Sequence, residues 1–119
     1  MKIPPAPEDL LPLTPAVFHI LLALAAGERH GYAIMTEVSA TTEGRIHMGP
    51  GTLYGTVKRL LAVGLIEESA ERPDPAVDDE RRRYYRLTAL GGEVLRAEVH
   101  RYSNMVKAAR ASGIFATPA

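Results

Sequence analysis

The sequence predicts a mostly α fold with a small two-stranded β wing: a winged helix-turn-helix followed by a C-terminal dimerisation helix. Three observations predict it. The run from Gly51 to Ile66 places Leu53, Val57, Leu60 and Leu61 at helical spacing and ends its helix at Gly64. The segment Arg81-Arg82-Arg83-Tyr84-Tyr85-Arg86 alternates like a strand. Beyond it, Leu95, Val99, Tyr102, Val106 and Ala109 recur at spacings of 4, 3, 4 and 3, a heptad seam over about two heptads.

Taken in order, residues 1–13 carry Pro4, Pro5, Pro7 and Pro12 and read as an extended arm. Thr14 is an N-cap and Pro15 a first helical residue, so a helix opens there and runs to Ala26. Its apolar residues Val17, Phe18, Ile20, Leu21, Leu22 and Leu24 circle the cylinder, which predicts burial on both sides and a second chain on one of them. A second helix spans Gly31 to Ala40. Ile46 and Met48 fit a very short strand. The third helix presents Gly51, Thr52, Gly55, Lys58, Arg59 and Ala62 on its outer arc. One strand runs from Ile66 to about Glu71 and its partner from Arg82 to Leu87, with a loop between. Thr88 caps the last helix. The organisation expected is therefore arm 1–13, winged-helix domain 14–88, dimerisation helix 89–113 and a frayed tail 114–119.

At 119 residues and 46% hydrophobic side chains, the chain is one domain with enough apolar residues for a core. Fourteen basic and fourteen acidic side chains cancel, so net charge does not point to nucleic acid, although a local basic patch still binds phosphate. The acids Glu67, Glu68, Glu71, Asp78, Asp79 and Glu80 read as solvated charge. With no cysteine there is no disulfide framework or thiolate chemistry. The longest apolar run, Ala16 to Ala26, is too short to cross a bilayer and contains His19. No signal-peptide layout opens the chain, and the expectation is a soluble cytoplasmic protein without membrane contact. His19, His30, His47 and His100 lack metal-ligand spacing, and no serine has a nucleophile's context, so neither a metal, a cofactor nor an enzyme is expected. His30 reads as a turn cap.

The combination of His30-Gly31-Tyr32, Gly51-Thr52-Leu53-Tyr54, Arg59-Leu60, Gly64-Leu65-Ile66 and Arg83-Tyr84-Tyr85-Arg86-Leu87-Thr88 with Gly91 resembles the PadR family of bacterial transcriptional regulators. The short C-terminal part is similar to the subfamily with a single terminal helix. The resemblance implies a homodimeric repressor on a pseudo-palindromic double-stranded DNA operator, released by a small aromatic or drug-like effector. Two positions depart from the family pattern: Gly55 stands where proline is common, and Asp78-Asp79-Glu80 makes the wing tip acidic.

A short helix of groove size followed by a basic hairpin is what holding DNA requires. Thr52, Lys58 and Arg59 are the expected base-edge or phosphate contacts, against the alternative of an ordinary solvated face. Tyr32 and Tyr54 offer hydroxyls to phosphate, or rings to the core. Arg81 and Arg83 would sit over backbone or minor groove, in competition with Asp78, Asp79 and Glu80. Val17, Leu21, Leu95, Val99, Tyr102 and Val106 form the expected dimer interface. An effector would lie between the first and last helices against Phe18, Leu22, Val99 and Tyr102; with no tryptophan, a ligand sandwiched between indoles is excluded. The alternative is a winged-helix protein-interaction module without DNA binding, which the neutral charge allows.

Overall fold

The local signals set most helix boundaries. In a computed structural model describing residues 6–69 and 83–116, Thr14 accepts the Val17 amide through its hydroxyl and opens α1, Pro15–Ala25. His30 ends a two-residue strand β1, Arg29–His30, and caps α2, Gly31–Thr41, its Nδ1 accepting from the Ala33 amide at 3.1 Å. Helix α3, Pro50–Val63, stops at Gly64, whose φ of 88° lies in the left-handed region that glycine enters without penalty. Strands β2, Ile66–Glu68, and β3, Tyr84–Leu87, precede α4, Ala89–Ala111, which Thr88 caps by accepting the Gly91 amide.

Apolar faces converge on one core: Ile20, Leu21 and Leu24 from α1, Ile34 and Val38 from α2, Leu53, Val57 and Leu60 from α3, Ile66 and Tyr85 from the strands, and Val94 and Leu95 from α4. The end of α3 and the start of α4 are wired together. Thr88 donates its hydroxyl to the Gly64 carbonyl at 2.6 Å, and its amide to the Leu65 carbonyl at 3.1 Å. Gly91 then packs so closely on the Leu65 carbonyl that no Cβ fits between them.

Four features differ from the sequence reading. The sheet has three strands in the order β1-β3-β2, not two, because Arg29 and His30 pair antiparallel with Tyr85 and Tyr84. The arm is not simply extended: Pro7–Leu10 form a 3-10 turn that packs on α4. Ile46 and Met48 form no strand; they lie in the loop between α2 and α3, which the Thr42 hydroxyl ties to Ile46. Strand β2 ends at Glu68 rather than near Glu71, and β3 begins at Tyr84 rather than Arg82.

Among the described residues one charged side chain lies in the interior. Glu98 on α4 is fully buried, accepting the Leu13 amide at 2.8 Å and Arg101 Nε and Nη2 at 2.5 and 3.0 Å. The Arg101 hydrogen bonds hold its carboxyl below the ordinary value, outweighing burial, with the Leu13 amide assisting. Burial pushes the neighbouring Tyr102 phenol up, and the Glu98 charge adds to it. A carboxyl depressed in the native state stabilises the fold above its unfolded pKa, and that contribution is lost as pH falls through the lower native value. Urea midpoints should therefore drop below the ordinary carboxylate range, and drop less steeply in Glu98→Gln. Parallel pH profiles for parent and variant would show that Glu98 does not couple folding to protons.

Candidate nucleic-acid interface

The outer arc of α3 is solvent-facing throughout: Gly51, Thr52, Gly55, Lys58, Arg59 and Ala62 are all exposed. The opposite stripe carries the core leucines, so helical spacing alone separates the two arcs. Thr56, not singled out in the sequence, is buried and returns its hydroxyl to the Thr52 carbonyl at 2.9 Å. It also accepts Arg59 Nη2 at 3.2 Å, which steadies that guanidinium beside the arc. Within this chain nothing lies within 4 Å of a Cβ added at Gly51 or Gly55, so packing does not require glycine at either place.

The two tyrosines separate. Tyr32, at the start of α2, is 67% exposed and stacks loosely on His30. Tyr54 is half-buried, its ring and hydroxyl pressed on Gly31, where a Cβ would collide with them. Tyr54 thus fits helix α3 against α2, and the glycine of His30-Gly31-Tyr32 is the space that ring needs. His30 also meets Tyr84 edge-on at 5.3 Å, joining the cap of α2 to β3.

At the base of the wing the arginines are paired with acids from the facing strand β2 and from the residue before β1. Arg83 lies 3.7 Å from Glu68, and Arg86 lies 2.8 Å from Glu67 and 3.8 Å from Glu28. Glu67 and Glu68 are therefore partnered, not merely solvated. These are exposed pairs worth little to stability, and phosphate can displace a carboxylate from them at small cost. Arg81 and the Asp78-Asp79-Glu80 cluster lie outside the described residues. Thr52, Lys58 and Arg59 share one face of one helix; Arg83 and Tyr32 come from other elements.

The candidate dimer residues fall into two groups. Leu21 and Leu95 are buried in their own chain's core, leaving no surface for a partner, because the heptad register continues the core stripe at its first member. Val99 and Val106 are 45% and 47% exposed, and Val17 and Tyr102 are half-buried. On α1, Leu22 and Ala25 remain exposed, so burial on both sides is not met within one chain. Of the candidate effector residues, Phe18 and Tyr102 meet edge-on with ring centroids 4.8 Å apart and occupy the α1–α4 space themselves. An open, mostly apolar groove of 590 Å³ lies elsewhere, between α2 and the start of α3, against Tyr32, Met35, Ser39, His47, Met48 and Pro50.

Among the described residues no group of His, Asp or Glu could hold a metal ion, and no helix is long and apolar enough to cross a membrane.

Solved structures of similar fold include a PadR family transcription regulator from Clostridium difficile (TM-score 0.66, 21% identity, covering 82% of this chain and 97% of that one). A PadR-like transcriptional regulator from Bacillus cereus is comparable (TM-score 0.65, 20% identity, 92% and 96%). A transcriptional regulator from Clostridium thermocellum aligns at TM-score 0.62 and 24% identity over 86% and 90% of the two chains. A 37.1 kDa protein encoded in a transposon of Streptomyces fradiae is 38% identical over 81 residues, 68% of this chain; the chain spans 21% of that relative's length. The model of the transcriptional regulator PadR-like family matches residues 20–97, from the middle of α1 to the inner half of α4. The chain belongs to the PadR-like family of transcriptional regulators.

Proposed function

We propose that this regulator is a homodimeric repressor that reads a pseudo-palindromic operator with α3 and steadies itself on the backbone with its wing. The observation that carries the proposal is the outer arc of α3. It is exposed from end to end, carries Thr52, Lys58 and Arg59, and contains two glycines that the fold itself does not need. A glycine in a helix interior costs about 1 kcal/mol relative to alanine, and a backbone approaching a groove closely is a reason to keep it. Val99 and Val106, exposed in the single chain, supply the contact with the second copy. A small aromatic effector acting at that contact would change the relative setting of the two α3 helices, which bind half-sites about 34 Å apart. Such a protein works in the cytoplasm.

The test is titration of operator DNA, recovered from the protein's own genome, at several salt concentrations. Lys58→Ala and Arg83→Ala should each weaken binding and reduce the salt slope by roughly one. If both variants follow the parent at every salt concentration, α3 and the wing are not the DNA contacts. Salt-independent binding to a protein and none to DNA would instead favour a protein-interaction module.

A further inference from the structure

Glu98 stands where α4 leaves the domain. The buried residues of α4 are Gly91, Val94, Leu95 and Glu98, and from Val99 to Ala111 every residue is exposed or half-exposed. That outer half projects on the order of 20 Å. The last buried residue is thus a carboxylate, and its bonds run in two directions. Leu13 of the arm donates its amide at 2.8 Å, and Arg101, on the departing part of α4, donates from Nε and Nη2. Leu10, Leu11 and Leu13 pack against the core beside it, and Tyr102, one turn on, meets Phe18 of α1. Arm, α1 and α4 meet within one turn of α4, the arm at Glu98 and α1 at Tyr102.

A fully buried carboxylate is costly unless every lone pair is engaged, and a well-packed apolar residue commonly stabilises as much. What hydrogen bonds supply and apolar contact does not is direction. We propose that Glu98 is a positioning residue: by clasping the arm at Leu13, it fixes the angle at which the outer half of α4 projects. A swing of about 10° at this point would move the helix tip by roughly 3 Å. The consequence for DNA rests on the homodimer reading, since Val99 and Val106 lie on that outer half and the angle would set the separation of the two α3 helices. The clasp itself belongs to one chain.

The chain has no cysteine, so Arg45→Cys with Asn104→Cys places two spin labels at exposed positions, one on the domain and one on the outer half of α4. Labelled chains diluted in unlabelled protein report intrachain distances, without DNA, so a failure of the operator reading leaves this measurement unaffected. The parent should give one narrow distance distribution. Glu98→Leu and Leu13→Pro, which removes the amide donor, should each broaden it at least about twofold or shift its centre by several ångströms, with far-ultraviolet circular dichroism unchanged. Leu13→Ala, which keeps the donor, should resemble the parent. Should Glu98→Leu fail to fold, the contrast between Leu13→Pro and Leu13→Ala decides. Folded clasp variants with the parent's narrow distribution would overturn the proposal, as would Leu13→Ala broadening as much as Leu13→Pro.

Discussion

Replacing Val99 and Val106 together by Glu is expected to leave the chain folded and abolish the proposed dimer. Both side chains are nearly half exposed in the single chain, so a carboxylate there stays hydrated in a monomer. Glutamate also forms helix more readily than valine, which protects α4 itself. In a dimer the four added carboxylates would be buried against apolar surface at roughly 2 kcal/mol each, raising the dissociation constant on the order of a millionfold. Sedimentation velocity should show a dimer for the parent and a monomer for the variant, and operator affinity should fall with it. A folded double variant that still sediments as the parent dimer would move the interface away from this seam. Leu21 and Leu95 are unsuitable for the same test, since charge at either would break the core of one chain.

The second large effect is expected at Gly91. A Cβ there would lie inside the van der Waals shell of the Leu65 carbonyl oxygen. That oxygen accepts the Thr88 amide, so it cannot retreat without losing the bond that joins α3 to α4. Gly91→Ala should destabilise by about 3 kcal/mol, lowering the thermal midpoint by roughly 10 °C. Gly92→Ala is the internal control, because its Cβ would meet only the far end of the Arg96 side chain at 3.7 Å. The control should be neutral or stabilising by up to about 1 kcal/mol, as glycine-to-alanine changes in open helix positions are. Calorimetry giving equal midpoints for the two variants would refute the close contact.

The sequence made helices and caps legible because their signals are local. Thr14 with Pro15, Thr88, and Gly64 each act within one turn, and the two arcs of α3 follow from spacing alone. What escaped was long-range. A two-residue strand such as Arg29–His30 has no alternation to display and exists only because β3 lies beside it. Sequence proximity offers Arg83 the acids Asp78, Asp79 and Glu80 as competitors for its DNA contact; of the described acids, it meets Glu68, brought across by the pairing of β2 with β3. Glu98 did carry a signal. It continues the stripe Gly91, Val94, Leu95 at the next inward position, where a carboxylate is out of place. The heptad spacing assigns Leu95 to a partner chain, and Glu98, three places on, falls outside that spacing. Tyr54 reads from sequence toward phosphate, and only the clearance above Gly31 shows that its ring is part of the α2–α3 contact.

The bond from the Leu13 amide to Glu98 also bears on the order of folding. It spans 85 residues, so closing it early would cost about 4 kcal/mol in loop entropy. The helices of the winged domain and their short connections carry no such cost and can form first. The arm should therefore dock after the rate-limiting step. Disrupting that contact should speed unfolding while leaving refolding nearly unchanged, with φ-values near zero at Leu13. In native-state hydrogen exchange the Leu13 amide should open well before the amides of α3, through a local release that leaves α3 in place.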